Sequence, residues 1–154
     1  MKNFTHHLAS LAITAWVGGL WAIGYLAVPV LFRAQPDKQL AGMLAGQMFV
    51  VLGYLGLVCG TYLLLVRLRE SGKAALREPV FLIVVAMLVI TLVIQFEIQP
   101  LMAALKYKAL PLDVMHSEYS SQFRNLHGLS SILYLIESLL GAILAIKYCR
   151  LPAK

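Results

Sequence analysis

Residues 80–99 read VFLIVVAMLVITLVIQFEIQ. No charged side chain occurs before Glu97, and twenty residues at 1.5 Å rise cover about 30 Å, the thickness of a bilayer's hydrocarbon core. The stretch is therefore a membrane-spanning helix, continuing to Leu105, and the rest of the chain follows suit. Leu8–Phe32, Gly42–Val66 and Gly128–Ile146 are of similar length and character. A chain of 154 residues that is 60% hydrophobic and 13% charged has too few polar residues to clothe a soluble domain. The expected fold is all-α: an integral membrane, antiparallel four-helix bundle making one domain over residues 1–154, with spans near 8–32, 42–66, 80–105 and 128–146. The first run is too long for the core of a secretory leader and lacks a small-residue cleavage site, so it is expected to be retained.

Helix punctuation agrees. The first helix should end near Arg33, ahead of Pro36, and Asp37 offers an N-cap for the second. Ser71-Gly72 suits a helix end, and Glu78-Pro79 a start with proline in the first turn. After Pro111, Asp113 offers a cap for a helix whose apolar positions Leu112, Met115, Tyr119, Phe123 and Leu126 lead into the fourth span. A continuous helix from Asp113 to Tyr148 would be about 54 Å long, so the third and fourth helices are expected to protrude from the membrane as a hairpin.

The net charge of +6 is distributed as a membrane protein distributes it. Lys2, Arg67, Arg69, Lys73, Arg77, Lys147, Arg150 and Lys154 fall on one side of a four-span arrangement, and Arg33, Lys38, Lys106, Lys108 and Arg124 on the other. Eight against five favours cytoplasmic termini. These residues serve as topology signals and lipid-headgroup contacts, and nucleic acid is not an expected partner. Cys59 and Cys149 have no spacing for zinc or redox work.

The second span carries Gly42, Gly46, Gly53, Gly56 and Gly60 within a narrow arc. Lipid gives helices no hydrophobic reason to associate, and small residues allow close backbone approach instead. The stripe is a packing seam within the bundle or, alternatively, a homo-oligomer interface. Polar stripes mark the other helices: His7, Thr14, Gly18, Trp21 and Tyr25 on the first; His127, Ser131, Tyr134, Ser138 and Gly141 on the fourth, with Ser130 and Glu137 at its edge. Gln47, Tyr54 and Thr61 line a second face of the glycine-rich helix. Hydrogen bonding across the bundle accounts for most such groups.

The carboxylates need separate treatment, because an ionisable side chain at the bilayer centre costs about 2.5–3.5 kcal/mol on insertion scales. Glu97 lies near the outer end of the third span, flanked by Gln95 and Gln99. On a helical wheel the two amides share a face with Thr91, while Glu97 points roughly 160–200° away. Glu137 is expected about 15 Å deeper, with no Lys or Arg at its depth. It is either a hydrogen-bonded neutral carboxyl or a proton- or cation-handling group. Gln47, Gln95, Glu97, Gln99, His127 and Ser131 are expected to form a polar vestibule leading to it.

Metal chemistry is weaker. Met43, Met48, Met102 and Met115 lie toward the outer side with His116 and His127, and thioether and imidazole suit Cu(I). Methionine also fills irregular apolar gaps, and no Met-x-x-Met or Cys-x-x-Cys motif occurs. Haem has less support, since His6 and His7 begin the first span and His127 the fourth, on opposite membrane faces. No phosphate loop, zinc-helix motif or nucleophile–base pair is visible, so the residues point away from a soluble-type enzyme.

Three segments carry a family resemblance: Gly18-Gly19 and Trp21 running into Pro29-Val30-Leu31-Phe32-Arg33; Gly46-Gln47-Met48-Phe49 with Tyr54; and Phe123-Arg124-Asn125-Leu126-His127-Gly128-Leu129-Ser130-Ser131. The chain resembles the bacterial four-helix family called domain of unknown function 4149, akin to eukaryotic transmembrane protein 205. Tyr134 stands where that family leads one to expect asparagine. The resemblance implies a four-span protein of the bacterial inner membrane without an established reaction. It extends distantly to the membrane domain of copper-resistance protein D, which adds modestly to the copper reading. Three functions follow as expectations: binding or translocation of a small solute or metal ion such as copper; an accessory subunit of a larger membrane complex; and a haem-linked oxidoreductase.

Overall fold

The structure, a computed structural model, describes residues 2–149, with side chains from Phe4 onward. Arg150, Lys154 and the side chain of Lys2, counted above for topology, lie outside that description. The first helix comprises an α-helix Lys2–Trp21, a π-helical turn Ala22–Ala27 and an α-helix Val28–Ala34. The second runs Lys38–Ser71 and leads through a 3-10 turn, Gly72–Arg77, to the third. The third joins Pro79–Val93, a π-helical turn Ile94–Ile98 and Gln99–Ala109; the fourth is Ser120–Cys149. All four are long and apolar enough to cross a bilayer, so the protein is a multi-pass membrane protein. Each helix packs on its sequence neighbours and the fourth returns to the first, closing an antiparallel ring around one core.

Local chemistry sets the ends. The Asp37 carboxylate accepts from the Leu40 N–H at 3.0 Å, capping the second helix. Gly72 takes φ +56°, where a Cβ would be strained, and stops that helix. Pro79 occupies the first turn of the third, where its missing N–H leaves nothing unpaired. Arg67 then ties the second helix to the third through Glu78, its Nε donating at 3.0 Å, and pairs with Glu70 at 3.2 Å.

The two π-helical turns share one cause. Val28 N–H bonds the carbonyl of Ile23, and Gln99 N–H that of Ile94, each reaching back five residues instead of four. The next residue in each case is a proline, Pro29 or Pro100. In a regular α-helix those rings would collide with the carbonyls of Tyr25 and Phe96, and neither nitrogen could donate. One widened turn ahead of each ring relieves the clash without breaking the span.

Small residues bring the helices together. A Cβ at Gly56 would lie 2.5 Å from Trp16 Nε1, and one at Gly60 2.6 Å from Leu88. Trp16, 1% exposed, thereby seats its indole on the second helix. A Cβ at Gly141 of the fourth helix would lie 3.2 Å from Val17. Below this level Val84, Met87 and Leu144 complete the core. Gly53 faces Gln95, Gly42 lies near Lys106 and Phe32, and Gly46 faces open space.

The hairpin differs from the sequence expectation. Asp113 caps only a 3-10 turn, Val114–His116, by accepting from Met115 N–H at 2.7 Å, and the fourth helix begins at Ser120. Ser117 intervenes: its hydroxyl donates to Val114 O at 2.8 Å and accepts from Tyr119 N–H at 3.2 Å, diverting backbone groups that a continuous helix would use. The fourth helix has 30 residues, about 45 Å, instead of 54 Å. Leu105, Ala109 and Val114, with Tyr119, Phe123 and Leu126, pack this hairpin on itself.

Replacing Gly56 by valine should lower unfolding stability in detergent by about 1–3 kcal/mol, the cost of overpacking a filled core. Gly46→Val, made toward open space, should leave the denaturation midpoint unchanged.

Candidate functional site

Among the described residues four polar side chains are buried: Thr91, Gln95, Glu137 and Ser138. The fourth helix presents Tyr134, Glu137, Gly141, Leu144 and Tyr148 inward at spacings of three and four, the seam of a left-handed bundle. Thr91 and Gln95 continue the inward line of Met87 on the third helix, one turn apart. The ring closure therefore sets these groups opposite each other.

Glu137 is 3% exposed. The Thr91 hydroxyl lies 2.7 Å from its Oε1 and 2.9 Å from the Met87 carbonyl. The Trp16 side chain also reaches the carboxyl. Gln95 donates from Nε2 to the Val50 carbonyl at 3.3 Å, its amide occupying the space a Gly53 side chain would need. Tyr134 donates to the Leu20 carbonyl at 2.5 Å; its ring occupies the space a Gly24 side chain would need and packs edge-on to Phe49. Trp21 Nε1 donates to the Ser138 carbonyl at 3.4 Å, while the Ser138 hydroxyl is buried without a partner.

Among these residues lies a small, partly open cavity with about 20 Å³ of room for the centre of a water molecule, enough for one. Trp16, Leu20, Phe49, Leu52, Gly53, Thr91, Ile94, Gln95, Tyr134 and Glu137 line it, with no Lys, Arg, His, Cys or Met among them. One π-helical turn borders it directly, through Ile94 and Gln95; the other stands behind the wall, its Gly24 abutting the lining residue Tyr134. Glu137 stands about 16 Å from Tyr148 at one end of the bundle and about 21 Å from Phe123 at the other, near mid-height.

The sequence-predicted residues divide. Gln95 and Glu137 line the cavity, and Gln99 is half-buried one turn above. Gln47, Glu97, His127 and Ser131 are exposed on the outer surface, so no single vestibule gathers the set. His127 stacks on Phe123, with ring centroids 6.0 Å apart, and Ser131 donates back to the His127 carbonyl at 2.8 Å. Glu97 is six residues above Thr91, which touches Glu137, so the two carboxyls differ in height by about 9 Å, not the 15 Å expected. Counting inward from two span ends misjudged the depth because the third helix extends to Ala109.

Of the thioether and imidazole candidates, Met43, Met115, His116 and His127 are exposed, Met48 is half-buried and Met102 is buried. Among the described residues no three His, Cys, Asp or Glu side chains cluster to hold a metal. At the terminal end His6 stacks on Tyr148, whose hydroxyl lies 3.1 Å from His6 Nδ1, far from His127. Cys59 is buried and Cys149 exposed, both as free thiols.

Sequence reasoning passed over Thr91 and Trp16 as partners of Glu137, and over both π-helical turns. Pro29 and Pro100 inside apolar runs were the available signal for the turns.

No curated protein and no solved structure matches the chain. The profile of one family, "Domain of unknown function (DUF4149)", matches residues 11–110, which take in the first helix from Leu11 on, the second and third helices, and both π-helical turns. That is well over half of the 154 residues, and the chain belongs to the DUF4149 family.

Proposed function

We propose that this membrane protein binds a proton or a small hard cation at Glu137 and helps it across the bilayer. One observation carries the reading: a carboxyl near mid-height, with no basic side chain beside it, opens on a cavity with room for a single water. Ionisable groups at such depth are rare and commonly mark ion or proton pathways. The cavity is far below the several hundred Å³ that an organic ligand occupies. Its polar lining is carboxyl, hydroxyl, amide and indole, which suits hard cations and water in preference to Cu(I).

Copper, the first candidate from residue types, would need the outer methionines and histidines, and most of these point away from one another's helices toward the surroundings. A role as accessory subunit of a larger complex has its own support in the polar side chains on the outer surface. Haem draws no support from the placement of His6, His7 and His127.

In vesicles holding the purified protein under a pH or sodium gradient, wild-type protein should dissipate the gradient faster than protein-free vesicles. Glu137→Gln, nearly isosteric, should fall to the protein-free rate, with Thr91→Val between the two. Equal rates for wild type and Glu137→Gln in both gradients would overturn the proposal.

We also infer a bacterial inner-membrane location with both termini cytoplasmic, from the excess of basic residues on the terminal side. A membrane-impermeant maleimide added to spheroplasts should label Pro36→Cys and spare Lys73→Cys and the native Cys149. Labelling of the second pair but not the first would reverse the orientation.

A further inference from the structure

Glu97 and Gln47 face outward from neighbouring helices, and their heights nearly coincide. The Gln95 amide bonded to the Val50 carbonyl aligns the third helix with the second at that level. Gln47 lies three residues above Val50 and Glu97 two above Gln95, rises of about 4.5 and 3 Å. With the hydrocarbon centred on the bundle, Glu97 is well inside its roughly 15 Å half-thickness. Among the described residues the ion pairs are those of Arg67 with Glu70 and Glu78, and none reaches Glu97. On the same face, below the two polar groups, Tyr54 and Phe96, both about half exposed, pack edge to face at 6.5 Å. The second helix continues the face with Val51 and Val58, 68% and 70% exposed.

A carboxyl and an amide turned toward lipid at one depth are poorly solvated there, and each needs a partner. We propose that this face of the second and third helices is covered by a second copy of the chain, in a twofold dimer. All copies insert with the same orientation, so the twofold axis runs along the membrane normal and groups meeting across it share a depth. Under that symmetry Gln47 of one copy meets Glu97 of the other, and the reverse pair forms at the same time. The amide N–H donates to the carboxyl in both, satisfying the outward polar groups by one contact used twice. Tyr54 and Phe96 supply packing below that contact. The glycine stripe is not part of this surface, since Gly53, Gly56 and Gly60 are filled from within by Gln95, Trp16 and Leu88. The dimer does not depend on the chemistry assigned to Glu137.

The test is disulfide cross-linking in native membranes, with Cys59→Ala and Cys149→Ser as background. Val51→Cys should give a band at twice the chain mass, and Leu11→Cys, 63% exposed on the first helix, should remain single. Gln47→Glu, which sets two carboxyls opposite each other, and Glu97→Ala should each lower the dimerisation constant about eightfold, the worth of two interhelical hydrogen bonds in lipid. Exchanging the pair, Gln47→Glu with Glu97→Gln, should restore it. Glu137→Gln should leave it unchanged. A Val51→Cys chain that stays single, or that links only to a heavier protein, overturns the proposal; so does a pair exchange that fails to restore the band.

Discussion

The seat of Trp16 on the second helix is the contact on which the rest of the bundle depends. Its indole occupies the space that side chains at Gly56 and Gly60 would fill, and its Nε1 edge, the one against Gly56, also reaches Glu137 on the fourth helix. Three helices are thus set in register by one ring. In a lipid solvent no hydrophobic gain drives that approach; van der Waals contact and internal hydrogen bonds must hold it. Glycine makes the contact close enough to count. Once the first, second and fourth helices are fixed, Met87 and Leu144 fill the level below, and Thr91 comes within hydrogen-bond distance of the carboxyl.

The same constraint sorts the polar residues into two populations. Inside, each group finds a neighbour: Gln95 the Val50 carbonyl, Tyr134 the Leu20 carbonyl, Glu137 the Thr91 hydroxyl. Ser138 is the exception, with its hydroxyl buried and unpartnered. Outside, Gln47 and Glu97 have been left to whatever surrounds the bundle. Gln95 and Glu97 lie within a single turn of one helix yet belong to different populations, and so to different chemistry.

Much of this was legible beforehand and some was not, for reasons that can be named. Spans follow from length and hydropathy, and Asp37, Gly72 and Pro79 mark ends because local backbone chemistry acts where the residue stands. Helix faces are harder. A wheel groups Thr91, Gln95 and Gln99, and separates Glu97, but lipid and core are equally apolar and leave no sign of which face turns inward. The six candidate vestibule residues were therefore gathered by depth alone, and the structure scatters four of them over the outer surface. Asp113 was a plausible cap defeated by a competing serine four residues on. Trp16 drew no reading from the sequence, because what singles it out is Gly56 and Gly60 opposite it, and only the fold brings those to it.

The two prolines have a mechanical consequence. Their widened turns lie in the first and third helices, which sit diagonally across the ring; one lines the cavity through Ile94 and Gln95, and the other backs the lining residue Tyr134 through Gly24. A helix bends where its hydrogen-bond ladder is loosest. The bundle is accordingly a two-storey frame with its joints in one plane: a lower storey locked around Trp16, Met87 and Leu144, and an upper one jointed to it through Gly24 and Gln95. Tilting the upper storey alters the ceiling of the Glu137 chamber while leaving its floor in place.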